Sequence, residues 1–213
     1  MYKRQVETKE PHNAGHSERV AQLSAWLVES LGLGHKEIQD VRTAGMLHDV
    51  GKLGVPTKVL QKTGKLTEEE YAAIQLHPMR GLDIVREIGF LDEALAGIMH
   101  HHERIDGRGY PMGLAGDEIP EFARVLAVAD AFDSMTSTRS YRGARPVAEA
   151  IEELRKWSGT QFDPAFVDAF VAALKREGWQ RPEAPVIAAD DLATATAQDH
   201  DDPGAPLRVI DSL

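Results

Sequence analysis

From Phe122 to Met135 the chain runs without a glycine or a proline, and most of its side chains are apolar. Such a run predicts a buried helix. Within it, Val125-Leu126-Ala127-Val128-Ala129-Asp130-Ala131-Phe132 carries a carboxylate in the middle. Burying a carboxylate among apolar side chains is costly unless a cation or hydrogen-bond donors compensate. A fold built around this helix must therefore bring a partner to Asp130. A buried ion pair and a metal ion are the two chemistries that would serve.

The rest of the body has the same helical period. Val20, Leu23, Leu27 and Leu31 recur three and four apart, and Gly32 and Gly34 stop that helix. Ile38, Val41, Met46 and Leu47 predict a second helix that ends at His48-Asp49 and Gly51. A polar loop through Pro56, Lys62 and Gly64 follows. Thr67 and Glu70 have the spacing of a capping box at the start of a third helix. Pro78 fits a helix start, with Ile84, Val85 and Ile88 behind it. Leu95, Ile98 and Met99 mark a helix that runs into three successive histidines, and Val147–Leu154 and Pro164–Leu174 complete the set. No segment alternates like a strand and no internal repeat is visible. The fold class expected is all-α, a helical bundle.

Composition limits the chemistry. The 213 residues contain no cysteine, so disulfides and thiolate metal sites are excluded and His, Asp and Glu remain as ligands. No stretch approaches the 18 or so apolar residues of a membrane helix, and the first residues are polar. A cytoplasmic protein without membrane insertion is expected. The formal net charge of −10 argues against binding long nucleic acids but not against a small nucleotide held through metals. From Arg181 to the end there are seven acidic residues and two basic ones, a composition expected of a mobile tail.

Imidazoles and carboxylates recur at the predicted helix ends. His101-His102-Glu103-Arg104-Ile105-Asp106-Gly107-Arg108-Gly109-Tyr110-Pro111 joins two histidines to a Gly-Tyr-Pro turn. Upstream, His48-Asp49 is followed by Gly51-Lys52. Nitrogen and oxygen donors of this kind suit a hydrolytic transition-metal site, and a neighbouring lysine suits phosphate. Seven residues are candidate metal ligands: His16, His48, Asp49, His77, His101, His102 and Asp130. Individually, His77 also reads as an ordinary surface or core histidine, and His48-Asp49 as a charge feature of a helix C-terminus. His35, His100 and His200 are read as structural or exposed.

In order along the chain, Ala14-Gly15-His16-Ser17-Glu18-Arg19-Val20, His48-Asp49-Val50-Gly51-Lys52, Gly64-Lys65-Leu66-Thr67, His77-Pro78, the His101–Pro111 stretch, Ala129-Asp130-Ala131-Phe132-Asp133-Ser134-Met135-Thr136-Ser137, Arg139-Ser140-Tyr141-Arg142 and Gly159-Thr160-Gln161-Phe162-Asp163-Pro164 resemble the HD-GYP subgroup of the HD-domain metal-dependent phosphohydrolases. The resemblance covers residues 10–175. It implies an HD-domain helical bundle over 10–178, between an N-terminal extension (1–9) and the acidic tail (179–213). It also implies a cyclic di-GMP phosphodiesterase with a centre of two iron or manganese ions. His16, His48, Asp49 and Asp130 would hold one ion; Asp49, bridging, with His77, His101 and His102 would hold the other. Lys52, Arg139 and Arg142 would contact phosphate, and Tyr110 would shape the ligand pocket. Hydroxide held between the metals would attack phosphorus, giving linear pGpG, with onward cleavage to GMP left open.

Three positions depart from the family pattern. Where some members have a glutamate that serves a third metal, this chain has His12, which either ligates from one turn before His16 or faces solvent. Thr57 and Thr63 replace an aspartate and a proline after the His-Asp pair. Many relatives carry a sensory or receiver domain first, and none is expected here. Lys52 has an alternative as the ion-pair partner of Asp49, and the two arginines as helix caps. Asp133 shares a helical face with Asp130 and is a candidate to orient a ligand. A slow sensor of cyclic dinucleotides, docking a diguanylate cyclase through its Gly-Tyr-Pro loop, is the competing function.

Overall fold

The structure, a computed structural model, describes residues 15–62, 64–86, 92–137 and 143–180. Helix α1 (His16–Ser30) forms on the predicted period and buries Val20, Leu23, Leu27 and Val28. Gly32, at φ 78°, takes the left-handed turn that ends it. Helix α2 (His35–Leu47) packs along α1 and stops at His48, where the sequence placed its end. The two helices meet through glycine. A Cβ on Gly45 would lie 2.7 Å from the Cα of Ala21, nearer than any side chain allows.

After Asp49 the chain tightens into a 3-10 turn, Val50–Gly54. The segment read as a polar loop contains a further helical turn, α3 (Thr57–Leu60), which the sequence reading missed. It forms because Val59 is drawn into a small satellite core with Val55 and Ile74, a tertiary contact that local polarity hides. Thr63 and Ile88 lie outside the described residues. Helix α4 (Glu68–Gln75) opens with the predicted capping box: Thr67 Oγ1 accepts from Glu70 N–H and Glu70 accepts from Thr67 N–H. Helix α5 (His77–Val85) has Pro78 in its first turn, where the missing N–H has no helical partner to lose. Helix α6 (Asp92–His100) follows and packs on α2, α5 and α7.

Helix α7 (Glu121–Thr136) is the run of apolar residues, and its burial on nearly all sides makes it the core element. Helices α1, α2, α6, α8 (Val147–Lys156) and α9 (Pro164–Glu177) all pack against it. The Trp179 ring meets it as well, edge-on to Phe132 at 5.1 Å. Among the described residues the only strand-like pairing is one isolated bridge, Ser158 with Phe162, so the expected all-α class holds. Among them, too, no helix is long and apolar enough to cross a membrane. His12 and the acidic segment from Arg181 onward lie outside the described residues.

Gly51 fixes how α5 docks. A Cβ there would overlap the His77 carbonyl oxygen and sit 2.5 Å from the Gly81 nitrogen, both backbone atoms that cannot rotate away. Gly51→Ala should therefore lower stability by about 1–3 kcal/mol, the usual cost of overpacking, read as a lower urea midpoint. An unchanged midpoint would mean that α5 is free to shift.

Candidate metal centre

Helix ends converge on one buried point. His16 is the first residue of α1, His48 and Asp49 follow α2, His77 is the first residue of α5, and His101 and His102 follow α6. Asp130 reaches the same point from the middle of α7. At a helix end the backbone leaves the 3.6-residue period, so adjacent side chains such as His48 and Asp49 can turn toward one centre. His16, His48, Asp49, His77, His101 and Asp130 are all buried.

Asp49 lies between two donor groups. Its Oδ2 is 3.5 Å from His48 Nε2 and 3.8 Å from His16 Nε2, while its Oδ1 is 3.4 Å from His77 Nε2. Asp130 Oδ1 stands 3.2 Å from His16 Nε2 and 4.0 Å from His48 Nε2. On the other side His77 Nε2 and His101 Nε2 are 3.3 Å apart, and the His101 and His102 ring centroids are 4.1 Å apart. Two sets thus have the spacing to hold a metal ion, His16/His48/Asp49 and His77/His101/His102.

The fit to a metal can be tested on the atoms themselves. His16 Nε2, His48 Nε2 and Asp49 Oδ1 are buried without a hydrogen-bond partner. His48, His77 and His101 each place Nδ1 2.7–2.8 Å from the carbonyl oxygen three residues back (Gly45, Ile74 and Ile98). A carbonyl only accepts, so Nδ1 carries the proton and Nε2 presents a lone pair to the centre. Lone pairs facing one another across 3–4 Å are what a shared cation requires, and the residues fit one.

A family model described as HD domain matches residues 1–166. The chain belongs to the HD-domain family. Relatives of this HD domain include the cyclic di-GMP phosphodiesterase PA4108 of Pseudomonas aeruginosa, 38% identical over 170 residues, covering 79% of this chain and 41% of the relative. A cyclic di-GMP phosphodiesterase of Thermotoga maritima is 39% identical over 158 residues, covering 73% and 43%. The chain therefore spans about two fifths of the length of these curated relatives. Among solved structures, the HDG"Y"P protein Bd1817 of Bdellovibrio bacteriovorus superposes with a TM-score of 0.62 at 26% identity, covering 75% of this chain and 51% of that one. A cyclic GMP-AMP specific phosphodiesterase of V. cholerae shares the fold at a TM-score of 0.64 and 22% identity, covering 82% and 47%.

The structure brings all seven candidate ligands together. Lys52 is buried beside them with its Nζ 2.9 Å from Asp49 Oδ2, which is the ion pair weighed as its alternative role. Tyr110 stacks on His102 at 4.7 Å, with the ring planes 24° apart. Arg139 and Arg142, the phosphate candidates, lie outside the described residues, as does His200. His35 is exposed, and His100 is half-buried with Nδ1 3.6 Å from Glu103 Oε1.

Sequence reasoning missed the residues that build the HD-GYP turn. Glu103 is buried and its two carboxylate oxygens accept from Met112 N–H (2.7 Å) and Leu114 N–H (3.1 Å), closing the loop over itself. Arg104 donates to both oxygens of Asp106 and to Gln161 Oε1, tying this loop to the Gly159–Pro164 turn. Glu103, Arg104 and Gln161 all lie in the recognised motifs, but their pairings join distant positions and left no local signal. Gly107 takes the left-handed conformation, at φ 74°. Gly109 serves differently: a Cβ there would lie 2.5 Å from Glu103 Cα and Arg104 N, so it permits a close approach of two backbones.

Burial and charge set the protonation of the metal-free centre. Burial, helped by the neighbouring imidazoles, lowers His77 to about 3, His102 to about 4 and His101 well below the ordinary value. For His16 burial acts in the same direction, but the neighbouring carboxylates of Asp130 and Asp133 outweigh it and raise the pKa to about 9. Burial also opposes charge on Asp49, yet the Lys52 ammonium overcomes it and holds Asp49 well below the carboxylate range.

These shifts fix a pH profile for the metal-free protein. Below about pH 6.5 the unfolded chain protonates histidines that the folded chain keeps neutral, so stability falls with pH down to the folded values near 4 and 3. Above it, the folded chain retains the His16 proton until about pH 9 and the unfolded chain does not, so stability falls as pH rises through that window. Thermal midpoints of chelator-treated protein should peak near pH 6–7 and decline on both sides, with the steeper loss on the acid side. A midpoint rising steadily from pH 6.5 to 9 would contradict a charged His16.

Proposed function

We propose that this HD domain is a cytoplasmic metal-dependent phosphodiesterase that hydrolyses cyclic di-GMP to linear pGpG, with onward cleavage to GMP left open. The observation that carries the reading is Asp49, whose two oxygens face two separate donor groups in a buried pocket. His16, His48, Asp49 and Asp130 would hold one metal ion, and Asp49, His77, His101 and His102 the other. Iron or manganese suits this mixture of imidazole and carboxylate, and two ions are the number proposed. Metals bound there would supply the Lewis acidity that activates water and polarises a phosphoryl oxygen.

The side chains have separate tasks in this reading. Lys52 lies within reach of the centre and would neutralise charge gathering on phosphate oxygens. Arg139 and Arg142 would grip the phosphates, for which a guanidinium fork is better suited than an ammonium. Tyr110, held flat on His102, would form one wall of the ligand pocket. The catalytic unit would span 10–178, with 179–213 as an acidic tail.

Cyclic di-GMP is favoured as substrate because relatives at 38–39% identity are named for it. A second reading, 3'3'-cGAMP, has support from a Vibrio cholerae relative named a 3'3'-cGAMP-specific phosphodiesterase, 37% identical over 169 residues. Docking of a diguanylate cyclase on the Gly-Tyr-Pro loop draws support from Met112, a large apolar side chain left 60% exposed there.

Metal analysis with product chromatography tests the proposal. The purified chain should contain two transition-metal ions and convert cyclic di-GMP to pGpG, and Asp49→Ala should lose both properties. Metal-replete protein that cleaves neither cyclic dinucleotide would overturn the enzyme reading in favour of a sensor.

A further inference from the structure

Four histidines turn Nε2 toward the centre, and they differ in what holds Nδ1. For His48, His77 and His101 it is a backbone carbonyl three residues earlier, so each imidazole is set by its own stretch of chain. His16 opens α1 and is set from a distance. Its Nδ1 lies 2.7 Å from Oδ2 of Asp133, a residue 117 positions later on α7.

Asp133 is itself buried and clamped. Arg19, three residues beyond His16 in α1, donates through Nε to Asp133 Oδ1 at 2.6 Å and through Nη2 to Oδ2 at 3.0 Å. Arg19 Nη2 also donates to Ser137 Oγ at 3.1 Å, and Ser137 Oγ donates to Asp133 Oδ2 at 3.3 Å. A carboxylate against Nδ1–H fixes the tautomer and makes Nε2 a stronger donor, and loss of such a partner typically weakens metal binding about 10–100-fold.

We propose that Asp133 and Arg19 are positioning residues for one half of the metal centre. They make His16 depend on the docking of α1 against α7, whereas His77 and His101 on the other side are set by their own stretches of chain. The inference rests on the two-metal reading of the site. It deepens that reading by making the halves unequal: the His16 half is the one that loads conditionally.

The test is a titration of metal-free full-length chain with Mn²⁺, counting sites and affinities in wild type, Asp133→Asn, Arg19→Gln and Arg19→Lys. Wild type should take up two ions. Asp133→Asn should keep one site unchanged and weaken the other about 10–100-fold. Arg19→Gln should shift the same site in the same direction, and Arg19→Lys, which restores a cation beside Asp133, should recover part of the loss. If Asp133→Asn does not fold, the two Arg19 variants carry the comparison, with ¹⁵N spectra of the His16 ring reporting a weakened Nδ1–H hydrogen bond. Equal weakening of both sites, or two unchanged sites, would overturn the clamp while leaving the two-metal centre intact. A wild-type chain that binds fewer than two ions would overturn the paired centre, and the clamp with it.

Discussion

The Asp49 carboxylate holds the interior of this protein together and is also its greatest cost. Buried between imidazoles, it has the Lys52 ammonium at 2.9 Å as its nearest opposite charge. An unpaired carboxylate at that depth would be strongly destabilising. Removing either partner would strand a charge inside a helical bundle. Of the surrounding histidines His16 relieves part of it, held charged by Asp130 and Asp133, while burial keeps His77, His101 and His102 neutral. A buried pocket of imidazole and carboxylate donors, compensated by Lys52 and His16, is the arrangement a metal cation would complete.

Helix termini make that pocket feasible. Polar side chains in the middle of helices would have to break the apolar faces that hold the bundle together, and of the residues at the centre Asp130 and Asp133 do so, both on α7. The other ligands sit where helices begin or end, so the apolar stripes of α1, α2, α5 and α6 stay intact. Glycines then bring those ends close. Gly45 lets α2 lie on α1, and Gly51 lets α5 lie on the turn after Asp49, which carries His77 to within 3.4 Å of the carboxylate. Packing and chemistry are coupled here: a methyl group at Gly51 would push His77 away from the centre.

The rim is built separately from the pocket. Glu103 folds the Gly-Tyr-Pro loop back over its own backbone, and Arg104 fastens it to Gln161, so Tyr110 is presented flat against His102 on a braced turn. A braced aromatic wall beside a cluster of metal-ligand type suits a ligand with flat rings and phosphates. That combination agrees with relatives named for cyclic dinucleotides.

Much of this was legible in the residues alone. Periodicity predicted the helices, including the ends at His48 and the Thr67–Glu70 cap, because helix formation and capping depend on neighbours three and four apart. The seven candidate ligands were readable as donor types in an ordered series. Short-range physics missed α3, whose Val59 is buried in a satellite core that Ile74 completes from α4. It also missed the grip of Glu103 on its loop and the reason for Gly109. The sequence by itself determined a bundle of helices around an apolar core and a stock of nitrogen and oxygen donors. Only the tertiary structure decided that these donors meet as two groups across Asp49, and that His16 alone is held by a carboxylate from another helix. Convergence depends on backbone approaches between distant segments, and no local spacing encodes those.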